Sequence, residues 1–219
     1  MDREMLKKTA FFQGLSDEEL ETALAFFDAR ESAYEKGDTI KPIHTPFTRF
    51  ALVLQGRVQV YTDDLDGNQM MMAHVEKGGM FGESLSYLKQ EEAVYALAVT
   101  PCRILWLHPG NIRLLQPKTP LESLLIHRFI QNLAGRALSM NDRIQILSRL
   151  TLEEKLKAFL SLYQKRHGME FTLPFSRTEL AAYLGANRSA LSRALSQMQK
   201  KGLISLDGRR ITLHSPMDS

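Results

Sequence analysis

The stretch Ser176-Arg177-Thr178-Glu179-Leu180-Ala181-Ala182-Tyr183-Leu184-Gly185-Ala186-Asn187-Arg188-Ser189-Ala190-Leu191-Ser192-Arg193, running on to Gly202, decides how this chain is read. Ser176 followed three residues later by Glu179 is a capping box, in which side chains and backbone amides satisfy one another at a helix start. The helix it opens ends at Gly185, the residue type that best accepts the left-handed turn after a helix. Asn187 can cap a second helix, Arg188 to about Lys201, which Gly202 closes. Helix, glycine-containing turn, helix predicts a helix-turn-helix. Leu180, Leu184, Leu191, Leu195 and Met198 supply the apolar contact between the two helices, and Ala181 and Ala182 are small enough for close approach.

The outward face of the second helix then carries Arg188, Ser189, Ser192, Arg193 and Gln197. Arginine presents a two-pronged donor to guanine O6 and N7, and serine can bond to several base edges or phosphates. These residues lie in the N-terminal half, the part of a recognition helix that reaches base edges. Beyond it, Leu203–Leu206, Asp207-Gly208 and Arg209–Leu213 read as a hairpin with a type I′ turn, a wing whose Arg209 and Arg210 are placed for phosphates. The expectation is a winged helix-turn-helix that binds double-stranded DNA.

Just upstream, Ile126, Leu133, Met140 and Leu147 are seven residues apart, and Ile130, Ala137 and Ile144 repeat the same interval. Two interleaved heptad series predict a helix–helix seam on a long helix over 119–148. A helix packed only on its own domain shows a wider apolar face. The chain has no second long heptad helix, so the expected partner is the same helix of another copy, in a parallel two-fold homodimer. Thr151 opens the next helix, with Glu153 and Glu154 in its first turn and a stop at Gly168.

Toward the N-terminus, Ser16 and Glu19 form another capping box ahead of Leu20, Leu24 and Phe27. From about 30 to 108 short β-rich runs alternate with Gly37, Gly56, Gly67, Gly78-Gly79 and Gly82. Gln55-Gly56-Arg57 reads as a turn between strands, and Asp66-Gly67 as a type I′ turn joining Val58–Thr62 to Gln69–Val75. Ala96–Val99 and Arg103–Leu107 add two strands. No helix long enough for a parallel crossover interrupts them, which predicts a barrel or sandwich. The fold class is α+β, with a β-roll domain over 1–118, the dimerisation helix over 119–148 and the winged helix-turn-helix over 149–219.

Length and charge agree. The 219 residues suffice for one or two domains. Residues 1–120 carry a net charge of −4 and residues 121–219 a net +7, which assigns a polyanionic partner to the back of the chain. No apolar run is long enough to span a membrane, and the N-terminus has no signal-peptide core. A lone cysteine, Cys102, excludes a disulfide framework, a Cys-ligated zinc site and an iron–sulfur cluster held by several cysteines of one chain. The expected compartment is the cytoplasm. No nucleophile elbow, phosphate-binding loop or metal-ligand spacing is present, which speaks against an enzyme.

Across nearly its whole length the sequence resembles the Crp/Fnr family of bacterial transcription regulators. Phe11-Phe12-Gln13-Gly14-Leu15-Ser16 looks like that family's entry to its first helix, and Tyr34-Glu35-Lys36-Gly37-Asp38 and Leu54-Gln55-Gly56-Arg57-Val58 look like its β-roll turns. Gly78-Gly79-Met80-Phe81-Gly82-Glu83 is similar to the opening of the phosphate cassette of cyclic-nucleotide-binding domains. The resemblance implies a β-roll sensor, promoter binding as a homodimer and contact with RNA polymerase. It places Arg177 at a phosphate-contacting position, and Arg188 and Arg193 at base-reading ones. The glutamate found between those arginines in cyclic-AMP-type members is Ser189 here, so the operator should differ at that base pair.

Departures from the family concern the effector. The expected effector pocket is Phe81, Gly82, Glu83, Ser84, Glu92, Ala93, Met140 and Asn141. Cyclic-AMP-binding members grip the phosphate with an Arg-Ser pair, matched here by Glu92 or Ala93, and an acid there repels the phosphate. Their adenine-facing Thr-Ser pair is Met140-Asn141. Cyclic AMP and cyclic GMP are therefore not expected, and the oxygen sensors' N-terminal cysteines are missing. Haem remains open, with His74 or His127 as axial ligand. Control by an unidentified small molecule, by a haem-bound gas or redox signal, or by no effector at all are the alternatives the sequence leaves.

Overall fold

The computed structural model describes residues 2–63, 69–114 and 116–217. Packing divides the chain into two units, Met1–Gly135 and Arg136–Ser219. The first contains α1 (Arg3–Lys7), α2 (Asp17–Phe26), β1 (Arg30–Tyr34), β2 (Thr39–Lys41), β3 (Phe50–Gln55), β4 (Arg57–Asp63), β5 (Gln69–Glu76), β6 (Met80–Phe81), α3 (Glu83–Leu88), β7 (Val94–Ala98), β8 (Cys102–Leu107), α4 (Gly110–Arg113) and the start of α5 (Pro120–Leu147). The second contains the end of α5, then α6 (Leu152–His167), β9 (Glu170–Thr172), α7 (Arg177–Tyr183), α8 (Arg188–Lys200), β10 (Ile204–Asp207) and β11 (Arg210–Leu213).

The first unit is built on two antiparallel four-stranded sheets, β1-β8-β3-β6 and β2-β7-β4-β5. Strands β3 and β4 follow each other in sequence yet lie in different sheets, so Gln55-Gly56-Arg57 is a corner rather than a hairpin. Gly56 has φ +86°, and a Cβ there would run into the Pro101 carbonyl and the Cys102 sulfur, so only glycine makes this corner. Strands β4 and β5 do pair, from Arg57 opposite Glu76 to Asp63 opposite Gln69. The Asp66-Gly67 turn expected between them lies outside the described residues.

The uninterrupted apolar run of β3 follows from its two covered faces. Ala51 and Val53 join Val58, Val60, Val75, Ala96, Ala98 and Ile104 between the sheets. Phe50, Leu52 and Leu54 face the helices, where Phe11, Phe12 and Phe27 pack. The start of α5 belongs to that second cluster. Leu125, Ile126 and Phe129 are buried in it, Leu133 packs against it, and the Phe129 ring lies 5.3 Å from that of Phe50.

This corrects the reading of the heptads. Ile126 and Leu133 are partly committed to their own unit, and the apolar face of α5 is wider at its start than the heptad count suggested. Of the residues expected at a seam, Ile130, Ala137, Met140 and Ile144 are exposed; Leu138, outside the heptads, is exposed as well.

In the second unit Thr151 caps α6, reciprocally with Glu154. The wing is a three-stranded sheet, β10-β11-β9, where sequence had suggested two strands. Its loop also differs from the expected type I′ turn. Asp207 pairs with Arg210, so the loop residues are Gly208 and Arg209, and of these only Gly208 has positive φ, at +57°. One positive φ, at the first loop position and filled by glycine, is the pattern of a type II′ turn.

Candidate nucleic-acid interface

Both helices of the motif start as the sequence dictates. Ser176 accepts from the Glu179 amide while the Glu179 carboxylate accepts from the Ser176 amide. Asn187 Oδ1 accepts from the Ala190 amide at 2.8 Å and caps α8. Leu180, Leu184, Leu191, Leu195 and Met198 are fully buried and fix α7 against α8. The opposite face of α8 leaves Arg188, Ser189, Ser192, Arg193 and Gln197 exposed.

The two serines differ. The Ser189 hydroxyl donates to Asn187 Oδ1 at 2.8 Å and so belongs to the cap. Ser192 makes no side-chain hydrogen bond among the described residues and is available to a ligand.

Arg177 and Arg209 are brought together, although they are distant in sequence. With Ser176 and Gly208 they line a cavity of about 10 Å³ between the start of α7 and the wing turn, room for about one water. Burial pushes the Arg177 guanidinium below its usual pKa, a cost that a nearby anion offsets.

Several other basic residues are neutralised by acidic neighbours. Arg3, Arg103 and Arg166 pair with Glu21, Glu31 and Asp142, and Lys201 pairs with Glu153. Arg210, which sequence reading had placed on phosphates, pairs instead with Glu170 of the neighbouring strand β9. Sequence gave no hint of β9 and hence none of this partner. Arg177, Arg188, Arg193 and Arg209 make no ion pair among the described residues.

The residues expected at an effector pocket differ in exposure. Phe81 and Glu83 are buried and Gly82 is half-buried, whereas Ser84, Glu92 and Ala93 are exposed. Met140 and Asn141 are exposed on the part of α5 in the second unit. The residue that sequence reading missed is Phe47. Its ring fills the space beside Gly82, where a Cβ would come within 2.5 Å of it. It meets Phe81 edge-on at 6.4 Å, and Phe81 in turn meets Trp106 at 5.9 Å. The buried Lys41 ammonium lies 4.7 Å from the centre of the Phe47 ring and donates to the Pro42 carbonyl and to the Thr45 carbonyl and hydroxyl. The β2–β3 loop thus folds inward against the glycine turn.

The two histidines considered for haem sit in different settings. His74 is 3.4 Å from Gln59 and 3.5 Å from Glu76, a polar neighbourhood. His127 is exposed beside a hollow of about 300 Å³, open to solvent, formed with Pro117, Ser123, Ile126 and Ile130. Neither setting is the enclosed apolar pocket that suits a haem.

Two domain descriptions match the chain, a cyclic nucleotide-binding domain over residues 31–115 and a Crp-like helix-turn-helix domain over residues 154–217. Together they define a class, a sensor-type β-roll joined in one chain to a DNA-binding module. The cyclic AMP receptor protein of Thermus thermophilus is 27% identical over 201 residues, covering 92% of this chain and 90% of that protein. The nitrogen fixation regulation protein FixK of Bradyrhizobium diazoefficiens is 28% identical over 194 residues, covering 85% and 79%. The crystal structure of a CRP/FNR-family transcriptional regulator from Thermus thermophilus superposes with a TM-score of 0.58 at 25% identity, covering 85% of this chain and 94% of that one. The chain belongs to the Crp/Fnr family of transcription regulators, and its relatives are regulators rather than enzymes. No helix among the described residues is long and apolar enough to cross a membrane.

Proposed function

We propose that the chain binds a two-fold symmetric DNA operator as a homodimer, with α8 in the major groove and the α7 start and wing on the flanking phosphates. One observation carries this reading: Arg177, Arg188, Arg193 and Arg209, none of which makes an ion pair among the described residues, all lie on the helices and wing of one module. Uncompensated cations so grouped favour a polyanion. Arg188, Arg193 and Ser192 take the base edges, Ser189 mainly holds the cap, and Arg177 and Arg209 take phosphates. The exposed Ile130, Ala137, Met140 and Ile144 of α5 supply the seam between copies. In this division of labour 1–118 is the sensor-type domain, 119–148 the dimerisation helix and 149–219 the DNA reader, and the family likeness supports contact with RNA polymerase at the promoter. Selection of sequences from a randomised duplex library by the purified protein tests the reading. Recovery of two inverted half-sites one helical turn apart supports it, and recovery without sequence preference overturns it.

A second reading concerns control. Phe47 against Gly82 favours a β-roll filled by its own side chains, and so DNA binding that needs no small molecule. Operator binding by protein refolded from denaturant, with nothing added, supports that. Binding only after a cell extract is restored overturns it.

A further inference from the structure

The last turns of α5 carry two different faces. At 3.6 residues per turn, Ala137, Met140 and Ile144 fall on one side and Asp142, Arg143 and Ile146 on another. The first set is exposed. The second is engaged with the DNA-reading module: Asp142 accepts from Arg166 of α6 at 2.7 Å, Ile146 is buried, and the Arg143 guanidinium lies 5.0 Å from the centre of the Tyr183 ring of α7.

Tyr183 is not an isolated platform. Its ring packs 5.7 Å from Phe159 of α6 and 5.2 Å from Phe175 just ahead of α7, and Phe159 meets Tyr163 at 4.6 Å with the rings tilted. Arg143 therefore caps an aromatic cluster that already unites α6, α7 and the segment between them. Burial lowers the pKa of Arg143 and raises that of Tyr183, so the contact is largely shielded from water, where a cation over a ring is strongest.

We propose that Arg143 on Tyr183 is a positioning contact that fixes the angle between α5 and the recognition helix, and thereby sets which half-site spacing the dimer accepts. The proposal rests on the homodimer reading above. If α5 pairs through one face, the only freedom left to each recognition helix is rotation of its module about the end of α5. The clamp sits on the other face and removes that freedom. A rigid pair of readers fits one separation of major grooves, whereas a loose pair fits several.

The test uses the full chain and a set of duplexes with two identical inverted half-sites whose spacer is varied one base pair at a time, together with a duplex carrying a single half-site. The wild type should bind one spacing best, by about tenfold over its neighbours. Arg143→Leu should weaken the best spacing by about tenfold, the scale of one shielded cation–ring contact, and leave the neighbouring spacings nearly unchanged, so that the profile flattens. Tyr183→Phe keeps the ring and should keep the wild-type profile, and Tyr183→Leu should flatten it. Single-half-site affinity should match wild type throughout, which a merely destabilised module would not do. Loss of affinity by the same factor at every spacing overturns the proposal. Should Arg143→Leu fail to fold, Arg143→Gln removes the charge at similar length, and an unchanged profile there overturns it equally. A wild type that prefers no spacing while still selecting a half-site sequence removes the homodimer reading and this proposal together, but leaves base reading by α8 intact.

Discussion

Arg177 and Arg209 border one water-sized cavity, whose other walls include Leu173, Phe175, Leu180 and Ile211, so two arginines from distant parts of the sequence meet at one place on the DNA-reading module. One comes from the first residue of α7, where the helix dipole adds positive potential, and the other from the turn of the wing. Two basic residues so close together suit a nearby phosphate. Arg177→Ala and Arg209→Ala should weaken binding to all sequences alike and lower the slope of log affinity against log salt by about one each. Binding curves at several salt concentrations check this. A change in sequence preference with an unchanged salt slope would place these residues on bases instead.

Arg193 should behave differently. It is exposed one turn into α8 and carries no intramolecular ion pair among the described residues, so its fork is free for a guanine edge. Arg193→Ala should cost roughly 1–3 kcal/mol and relax preference at one base pair in each half-site. Ser189→Ala is the contrast. It removes the donor to the Asn187 cap and should lower stability slightly with little change in base preference. A randomised-site selection with each variant separates the two effects.

The seam is best probed where α5 owes nothing to its own unit. Leu133 packs against the first unit's core, so a charge there damages the fold as well as any interface. Ile144 is 61% exposed, and Ile144→Asp should leave the melting of a dilute monomer unchanged. In a dimer it buries an unpaired charge at a cost of several kcal/mol and should shift the protein to monomer. Sedimentation over a range of concentrations reads this directly. A variant that stays dimeric would move the interface off Ile144.

Much of this was legible because it is written in local chemistry. Ser176 with Glu179, Asn187 before Arg188 and the buried leucines of α7 and α8 are short-range signals, and each forms as its spacing implies. What could not be read needed contacts between distant segments. Glu170 neutralises Arg210 only because β9 pairs with β11, and three residues are too short to show a strand's alternation. Phe47 reaches Gly82 only once the β2–β3 loop folds inward, and nothing in Thr45-Pro46-Phe47 announces it. The heptads of α5 were real, but periodicity does not say whether an apolar residue faces its own core or another copy. Ile126 does the first and Ile144 is free for the second.

His108 gives the first unit a pH dependence of definite sign. Its Nδ1 accepts from the Gly110 amide at 3.1 Å, which requires a neutral ring. Burial first, then the charges of Arg49 and Arg113, push its pKa below the usual value. The unfolded chain therefore binds this proton more readily, so stability rises with pH. The contribution is whole above the unfolded value, about 6.5, and is lost as pH falls through the lower folded value. Melting temperature should decline between pH 7 and pH 5 in the wild type, and less steeply in His108→Gln. Parallel curves for the two proteins would assign the acid sensitivity to other groups.

Cyclic AMP should leave the wild type unmoved, for two separable reasons. The Phe47 ring occupies the space beside Gly82, and by the family resemblance the phosphate-gripping arginine of cyclic-AMP-binding members is matched here by Glu92 or Ala93, so no arginine is expected there. A ligand raises melting temperature only by binding the folded state, so millimolar cyclic AMP should give no shift. Phe47→Ala should first cost about 3–5 kcal/mol, because a buried ring leaves a cavity that its neighbours only partly refill. It should still show no response to cyclic AMP, since neither Glu92 nor Ala93 supplies the cation that grips the phosphate, and Glu92 at that position would repel it. Adding Glu92→Arg to Phe47→Ala removes both obstacles, and a rise in melting temperature confined to the double variant would show that steric filling and charge each block the site. A rise of several degrees in the wild type would mean that the Phe47 loop yields to the nucleotide, and the β-roll would then have to be read as an open sensor.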